Sequence, residues 1–147
     1  MAWGHAAVQV DQTYISWWPE RERRQASKVS AQVYAVHPVR NRSFHADVSD
    51  EGQSPDYRVV INGLDELKIK DWWQSFGLHR DGVQYQGPLL PWKTLEQNCS
   101  TIAARALTIG GGETYASWRA SRRLVWTPND VLQYAVAIKR GLAPKAR

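Results

Sequence analysis

The chain has 147 residues, of which 43% are hydrophobic, and its 19 basic residues against 14 acidic ones give a formal net charge of +5. This length and apolar fraction predict one folded domain, residues 1–147, and exclude a mainly disordered chain. No stretch approaches the roughly 20 consecutive apolar residues of a membrane-spanning helix. The first residues also lack the pattern of a Sec signal peptide, so we expect export from the producing cytoplasm to use a signal-peptide-independent route.

Cys99 is the single cysteine of the chain. One thiol excludes a disulfide framework and a zinc site built from several thiolates, so we expect no metal and no cofactor. The modest positive charge weakly favours an anionic partner such as cell-wall polymer, nucleic acid or anionic lipid.

The first third of the chain contains the predicted strands. Two short β-prone runs, 4–10 and 14–18, flank the polar residues 11–13 and predict a hairpin. Alternation along the first strand places His5 and Ala7 on one face. Residues 32–36 and 57–61 predict two further strands, whereas the polar stretch 39–56 predicts a long exposed loop.

Three helices have recognisable beginnings. Asp65, Asn98 and Thr127 are suitable N-cap residues, and each precedes a segment with helical apolar spacing. Residues 139–147 form a basic tail. Together with the predicted strands, these helices indicate an α+β fold, an antiparallel sheet packed against helices.

Cys99 is predicted to lie in the first turn of the second helix. There the helix dipole and the backbone N–H groups stabilise a thiolate and can supply part of an oxyanion hole. The alternative is that Cys99 is a small buried hydrophobic residue. The polar neighbours Asn98 and Ser100 suit a helix entrance better than a core position.

His5 is the best candidate base because it lies in an otherwise apolar strand, where an imidazole needs a partner or a cavity. The other three histidines, His37, His45 and His79, fall in predicted turns and loops. A histidine on a strand beside a cysteine at a helix tip is an arrangement that nucleophilic catalysis requires.

Three motifs carry a resemblance to a known family: GHAAV at 4–8, YISWWP at 14–19 and NCST at 98–101. They resemble a circularly permuted NlpC-type, papain-like cysteine hydrolase. The histidine strand precedes the Asn-Cys helix, as in permuted members that include the lecithin:retinol acyltransferase-like group. The pattern also resembles small bacterial toxin and secretion-effector domains. Residues 63–66 and 126–132 of this chain fit the same subgroup.

The resemblance implies a permuted papain-like fold with Cys99 as nucleophile and His5 as general base. The third catalytic member stays open, because the second strand has no histidine or acid. Ser16 is one candidate, since cross-strand pairing places it near Ala7 on the face that His5 uses. Glu20, Asp11 or a backbone carbonyl are the alternatives.

The remaining site predictions concern the oxyanion and the substrate. Gln97 or Asn98 could supply a second oxyanion donor beside the Cys99 N–H. Trp17, Trp18 and Trp92 could line a substrate groove, although ordinary core packing is the preferred explanation for any single one of them.

The function that these observations favour is cleavage of an amide bond through an acyl-enzyme. The resemblance to toxin and effector domains implies delivery into a target cell, where the expected substrate is a peptidoglycan peptide or a protein. It also implies a cognate immunity protein that would cover the site. A lipid or protein acyltransferase, or a deamidase, is possible with the same Cys-His pair. A non-catalytic Trp-rich binding module is the other alternative, but no nucleic acid is expected because the basic clusters 21–28 and 139–147 lie apart from most tryptophans.

Overall fold

The computed structural model describes residues 4–17, 43–76 and 98–144. In these residues the fold is mixed α and β, with a two-stranded antiparallel sheet, five α-helices and one 3₁₀ turn, Gly112–Thr114. In chain order the elements are β1 Val8–Val10, β2 Thr13–Ile15, α1 Phe44–Glu51, α2 Glu66–Phe76, α3 Cys99–Ile109, α4 Trp118–Ser121 and α5 Pro128–Leu142.

The predicted hairpin is present, with shorter strands than expected. Val8 pairs with Ile15 and Val10 with Thr13. The turn therefore has two residues rather than three, and its first, Asp11, adopts a left-handed φ of 52° that aspartate tolerates. Continuing this register by one residue places Ser16 opposite Ala7.

All three predicted helices begin at their expected caps. Asp65 Oδ1 accepts a hydrogen bond from the Lys68 N–H at 3.0 Å before α2. Asn98 caps α3, and Thr127 forms a reciprocal capping box with Asp130 before α5. Such caps satisfy backbone N–H groups that have no partner within the helix.

Two predictions were wrong. The expected loop 39–56 contains helix α1, which Ser43 caps and Gly52 ends with a left-handed φ of 74°. Its inward-facing residue is the charged Asp47, so an apolar pattern could not reveal it. Residues 57–61 are not a strand: two partly buried side chains, Val59 and Ile61, pack on the core without a pairing partner strand. The predicted strand 32–36 lies outside the described residues.

Helix α3 lies at the centre of the core and contacts both α2 and α5. One apolar cluster joins its first half to the hairpin and α2, and a second joins its other face to α5. Ala103 and Ala106 are almost fully buried, which allows close packing. A Cβ on Gly110 would lie 2.6 Å from Ile69 Cδ1, so glycine lets α3 end in close contact with α2. This packing fixes the tip of α3 against the hairpin.

Among the helices in the described ranges, none is long and apolar enough to cross a bilayer.

Candidate active site

Cys99 is the first residue of α3, and its position is set by the cap. Asn98 Oδ1 accepts a hydrogen bond from the Thr101 N–H at 3.0 Å, and Thr101 Oγ1 accepts one from the Asn98 N–H at 3.2 Å. The Asn98 amide also donates to the Trp126 carbonyl at 3.2 Å. These bonds tie the helix entrance to the segment before α5, so the backbone around the sulfur is held on two sides.

The sulfur of Cys99 faces the first strand segment. Its side chain forms a hydrogen bond with His5, and the Ala6 backbone N–H donates to the sulfur. Burial raises the pKa of the Cys99 thiol, but the hydrogen bond and positive charge of His5 outweigh burial, so the pKa is lowered overall. The structure therefore brings together the two residues that the sequence paired, and His5 shifts the pKa of the thiol in the direction that a nucleophile needs.

Asp47 lies on the other side of the imidazole. His5 Nε2 is 3.0 Å from Asp47 Oδ2 and 2.8 Å from Ser16 Oγ. Ser16 donates its own hydroxyl proton to Asp47 through a short hydrogen bond. Since the hydroxyl proton is used in that bond, Ser16 Oγ can only accept a hydrogen bond from His5 Nε2. Nε2 must therefore carry a hydrogen.

These contacts make His5 a strongly basic imidazole. Burial lowers the pKa of His5, but the hydrogen bonds and charges of Asp47 and Cys99 raise it from 6.5 to about 9 overall. The His5 side chain is 9% exposed, so solvent screens these interactions little. At neutral pH the His5 ring is thus an imidazolium beside the Asp47 carboxylate.

Asp47 is kept ionised although it is only 4% exposed. Burial raises the pKa of its carboxyl group, but hydrogen bonds from His5, Ser16 and Tyr14 lower it below the usual value. The Tyr14 hydroxyl donates to Asp47 Oδ2 at 2.7 Å, and burial together with the aspartate raises the pKa of that phenol. Tyr14 therefore stays a hydrogen-bond donor to the carboxylate.

An aromatic contact holds α1 against the hairpin. The rings of Tyr14 and Phe44 meet edge to face with centroids 6.0 Å apart. The Arg58 guanidinium lies 5.3 Å from the centroid of the Phe44 ring, within the range of a cation–π interaction. These contacts orient the helix that carries Asp47.

Of the other predicted site residues, the structure brings Ser16 to His5 and places Asp11 elsewhere. Ser16 touches His5, whereas Asp11 lies at the hairpin turn and pairs with Lys70 at 2.8 Å. Trp17 is 1% exposed and packs in the same apolar cluster as Cys99, and His45 is exposed on α1. The predictions for Glu20, His37, His79, Gln97, Trp18 and Trp92 lie outside the described residues.

Sequence reasoning missed Asp47 and Tyr14. The signal for Asp47 was Ser43, a good N-cap residue nine positions before Gly52, a good C-cap residue, which together delimit a two-turn helix. Tyr14 could have been found from the predicted hairpin, since strand alternation puts it on the same face as Ser16.

No group of three or more metal-ligating side chains occurs in the part of the chain that the structure describes. The arrangement is thus a mixed α/β scaffold carrying a continuous Cys–His–Asp chain of hydrogen bonds. The chain belongs to the IcsB middle domain family, whose model matches residues 25–146. That match includes Asp47 and Cys99 and begins after His5.

One curated relative is the multifunctional-autoprocessing repeats-in-toxin protein of Vibrio vulnificus. It is 28% identical over 99 residues, which cover 66% of this chain. The chain spans 2% of that protein's length. No solved structure matches the chain.

Proposed function

We propose that this domain is a cysteine-dependent enzyme that cleaves an amide bond through an acyl-thioester on Cys99. The single observation that carries the proposal is the contact of His5 with both the sulfur and the Asp47 carboxylate. A buried cysteine with only a packing role has no need of a strongly basic imidazole beside it.

In the first step the thiolate attacks the substrate carbonyl carbon. The C–N bond then breaks, and His5 gives its proton to the leaving amine. Water then attacks the carbonyl carbon of the thioester and loses a proton to His5. The C–S bond breaks, which releases the carboxylic acid and restores the thiolate–imidazolium pair. Because Nε2 faces Asp47, the ring nitrogen that serves sulfur and substrate is Nδ1.

Asp47 acts by orienting the ring and stabilising its positive charge. Tyr14 and Ser16 hold the carboxylate in turn, so we assign them positioning roles. The Cys99 N–H, at the positive end of an eleven-residue helix, is the proposed oxyanion donor.

We further propose that the enzyme acts as a toxin or effector domain delivered into another cell. The likeness to a part of the Vibrio toxin supports this context. The sequence resemblance to permuted NlpC-type enzymes supports a peptide substrate, either in peptidoglycan or in a protein of the target cell. A cognate immunity protein covering the Cys99 site follows from the same resemblance.

A second candidate is transfer of the acyl group to an acceptor other than water. Cys99 belongs to an apolar cluster with Val10, Ile15 and Trp17, none of which is more than 6% exposed. A thioester from which water is excluded hydrolyses slowly, so an amine or hydroxyl acceptor can react with it before water does. This observation favours an acyltransferase over a deamidase.

The test is a burst experiment with nitrophenyl esters of short and long acyl chains. We expect a stoichiometric release of nitrophenol and the matching mass increase on Cys99, both absent in Cys99→Ala. Addition of an amine then separates the candidates, because a transferase forms the amide faster than free acid and a hydrolase does not. Absence of any adduct on a correctly folded protein would refute both.

The substrate class needs a cellular test. Wild type and Cys99→Ala are expressed in the periplasm and in the cytoplasm of a test bacterium. Toxicity of the wild type alone in the periplasm, together with muropeptide cleavage by mass spectrometry, would identify peptidoglycan. Toxicity confined to the cytoplasm would identify a cellular protein instead.

A further inference from the structure

The net positive charge of the chain comes from its last quarter. Residues 114–147 contain seven basic side chains and one acid, Asp130, a net charge of +6, whereas residues 1–113 contain 12 basic and 13 acidic ones. Such asymmetry indicates a surface for an anionic partner.

Exposed apolar side chains concentrate in the same part of the structure. Of the seven large hydrophobic residues that are exposed in the described ranges, four lie between 115 and 125. Trp118 is 70% exposed and Leu124 is 99% exposed, and Tyr115 and Val125 are exposed to a lesser degree. Exposed apolar side chains grouped in this way mark a contact surface.

Basic groups accompany these side chains. The Arg122 guanidinium lies 5.8 Å from the centroid of the Trp118 ring, and Arg119 is exposed one residue further along α4. The last turn of α5, which carries Lys139 and Arg140, packs beside this segment. The close approach is visible at Gly141, where a Cβ would lie 2.0 Å from the Tyr115 carbonyl oxygen. We call residues 115–125 together with this turn the basic–apolar surface.

We propose that the basic–apolar surface binds the headgroup region of an anionic lipid bilayer. Arginine and lysine satisfy lipid phosphates and carboxylates, while tryptophan sits at the level of the headgroups. The exposed Leu124 and Val125 favour a bilayer over nucleic acid as the partner. Aliphatic side chains insert between acyl chains but have no ring face on which a base could stack.

The probe is a pair of vesicle preparations, phosphatidylcholine alone and phosphatidylcholine with phosphatidylserine, in a co-sedimentation assay with the whole chain. We expect binding to the anionic vesicles only, weakened by salt. Arg119→Gln/Arg122→Gln should weaken binding by about 30-fold, since each basic residue at such a surface contributes about a factor of five.

Trp118→Ser/Leu124→Ser should weaken binding to a similar degree without loss of charge. The matched controls are Lys68→Gln/Lys70→Gln for charge and Leu67→Ser for apolar exposure, all on α2, and we expect them to bind like wild type. All these residues are at least partly exposed, so the variants should fold, which circular dichroism checks. Cys99→Ala should also bind like wild type, so failure of the proposed catalysis does not affect this test.

Three results would overturn the proposal. These are equal sedimentation with both vesicle types, loss of binding in the α2 controls to the same extent, and absence of vesicle binding by wild type. Binding of single-stranded RNA but not vesicles, abolished by the arginine variants, would reassign the surface to nucleic acid.

Discussion

Replacing Asp47 with asparagine removes the negative charge behind His5 while keeping the shape of the side chain. The difference between the raised His5 pKa of about 9 and the ordinary 6.5 corresponds to about 3 kcal/mol. Asp47 and Cys99 share this stabilisation against the opposing effect of burial. Loss of the carboxylate should therefore lower the equilibrium constant for forming the thiolate–imidazolium pair by about one to two orders of magnitude.

The assay is alkylation of Cys99 with iodoacetamide, followed by mass spectrometry. Cys99 is the chain's single cysteine, so every adduct reports the same site. We expect the alkylation rate of Asp47→Asn at neutral pH to fall by about 10- to 100-fold. The matched control is Asp11→Asn, an exposed acid paired with Lys70, whose rate should stay within about twofold of wild type. Equal rates for wild type and Asp47→Asn, or a larger loss in Asp11→Asn, would refute the role given to Asp47.

Further predictions concern the same residues and the core. Tyr14→Phe removes one donor to Asp47 and should slow alkylation by no more than about tenfold, whereas loss comparable to Asp47→Asn would contradict a positioning role. In urea unfolding, wild type should show little site-dependent change in stability between pH 6.5 and 9, because the raised His5 pKa and the lowered Cys99 pKa have opposite effects on proton uptake. In Cys99→Ala the compensating thiol is absent and Asp47 alone raises the pKa of His5, so the stability should be full below pH 6.5 and decrease as the pH rises through that pKa. A curve parallel to wild type would contradict the pairing. Ile102→Ala, at a position 1% exposed beside Cys99, should destabilise the fold by about 2–5 kcal/mol, against less than about 0.5 kcal/mol for the exposed control Leu67→Ala.

The helices were predictable where local chemistry decides the structure. Asp65, Asn98 and Thr127 satisfy backbone N–H groups within three residues of themselves, so their sequence neighbours are sufficient to identify them. The hairpin was predictable for the same reason, since its turn and strands are adjacent in sequence. His5 and Cys99 are far apart in sequence. Their local contexts identified them as candidate base and nucleophile, and the family resemblance then supported pairing them.

Asp47 was not predictable from apolar pattern because its burial depends on tertiary hydrogen bonds. Its three donors, His5, Tyr14 and Ser16, all come from the hairpin about thirty to forty residues earlier. Burial of a charge costs free energy unless such partners are present, and no property of residues 39–56 alone shows that they are. The opposite error occurred at residues 57–61, where a strand was predicted and none forms. A β-prone composition does not by itself provide a neighbouring strand with which to pair.

The proposed catalysis requires His5 to lie between a thiolate and a carboxylate. The most direct measurement is an NMR titration of the His5 ring nitrogens in wild type, Cys99→Ala and Asp47→Asn. We expect the wild-type ring to remain protonated up to about pH 9 and the His5 pKa to be lower in each variant. A His5 pKa near 6.5 that is the same in all three proteins would contradict it.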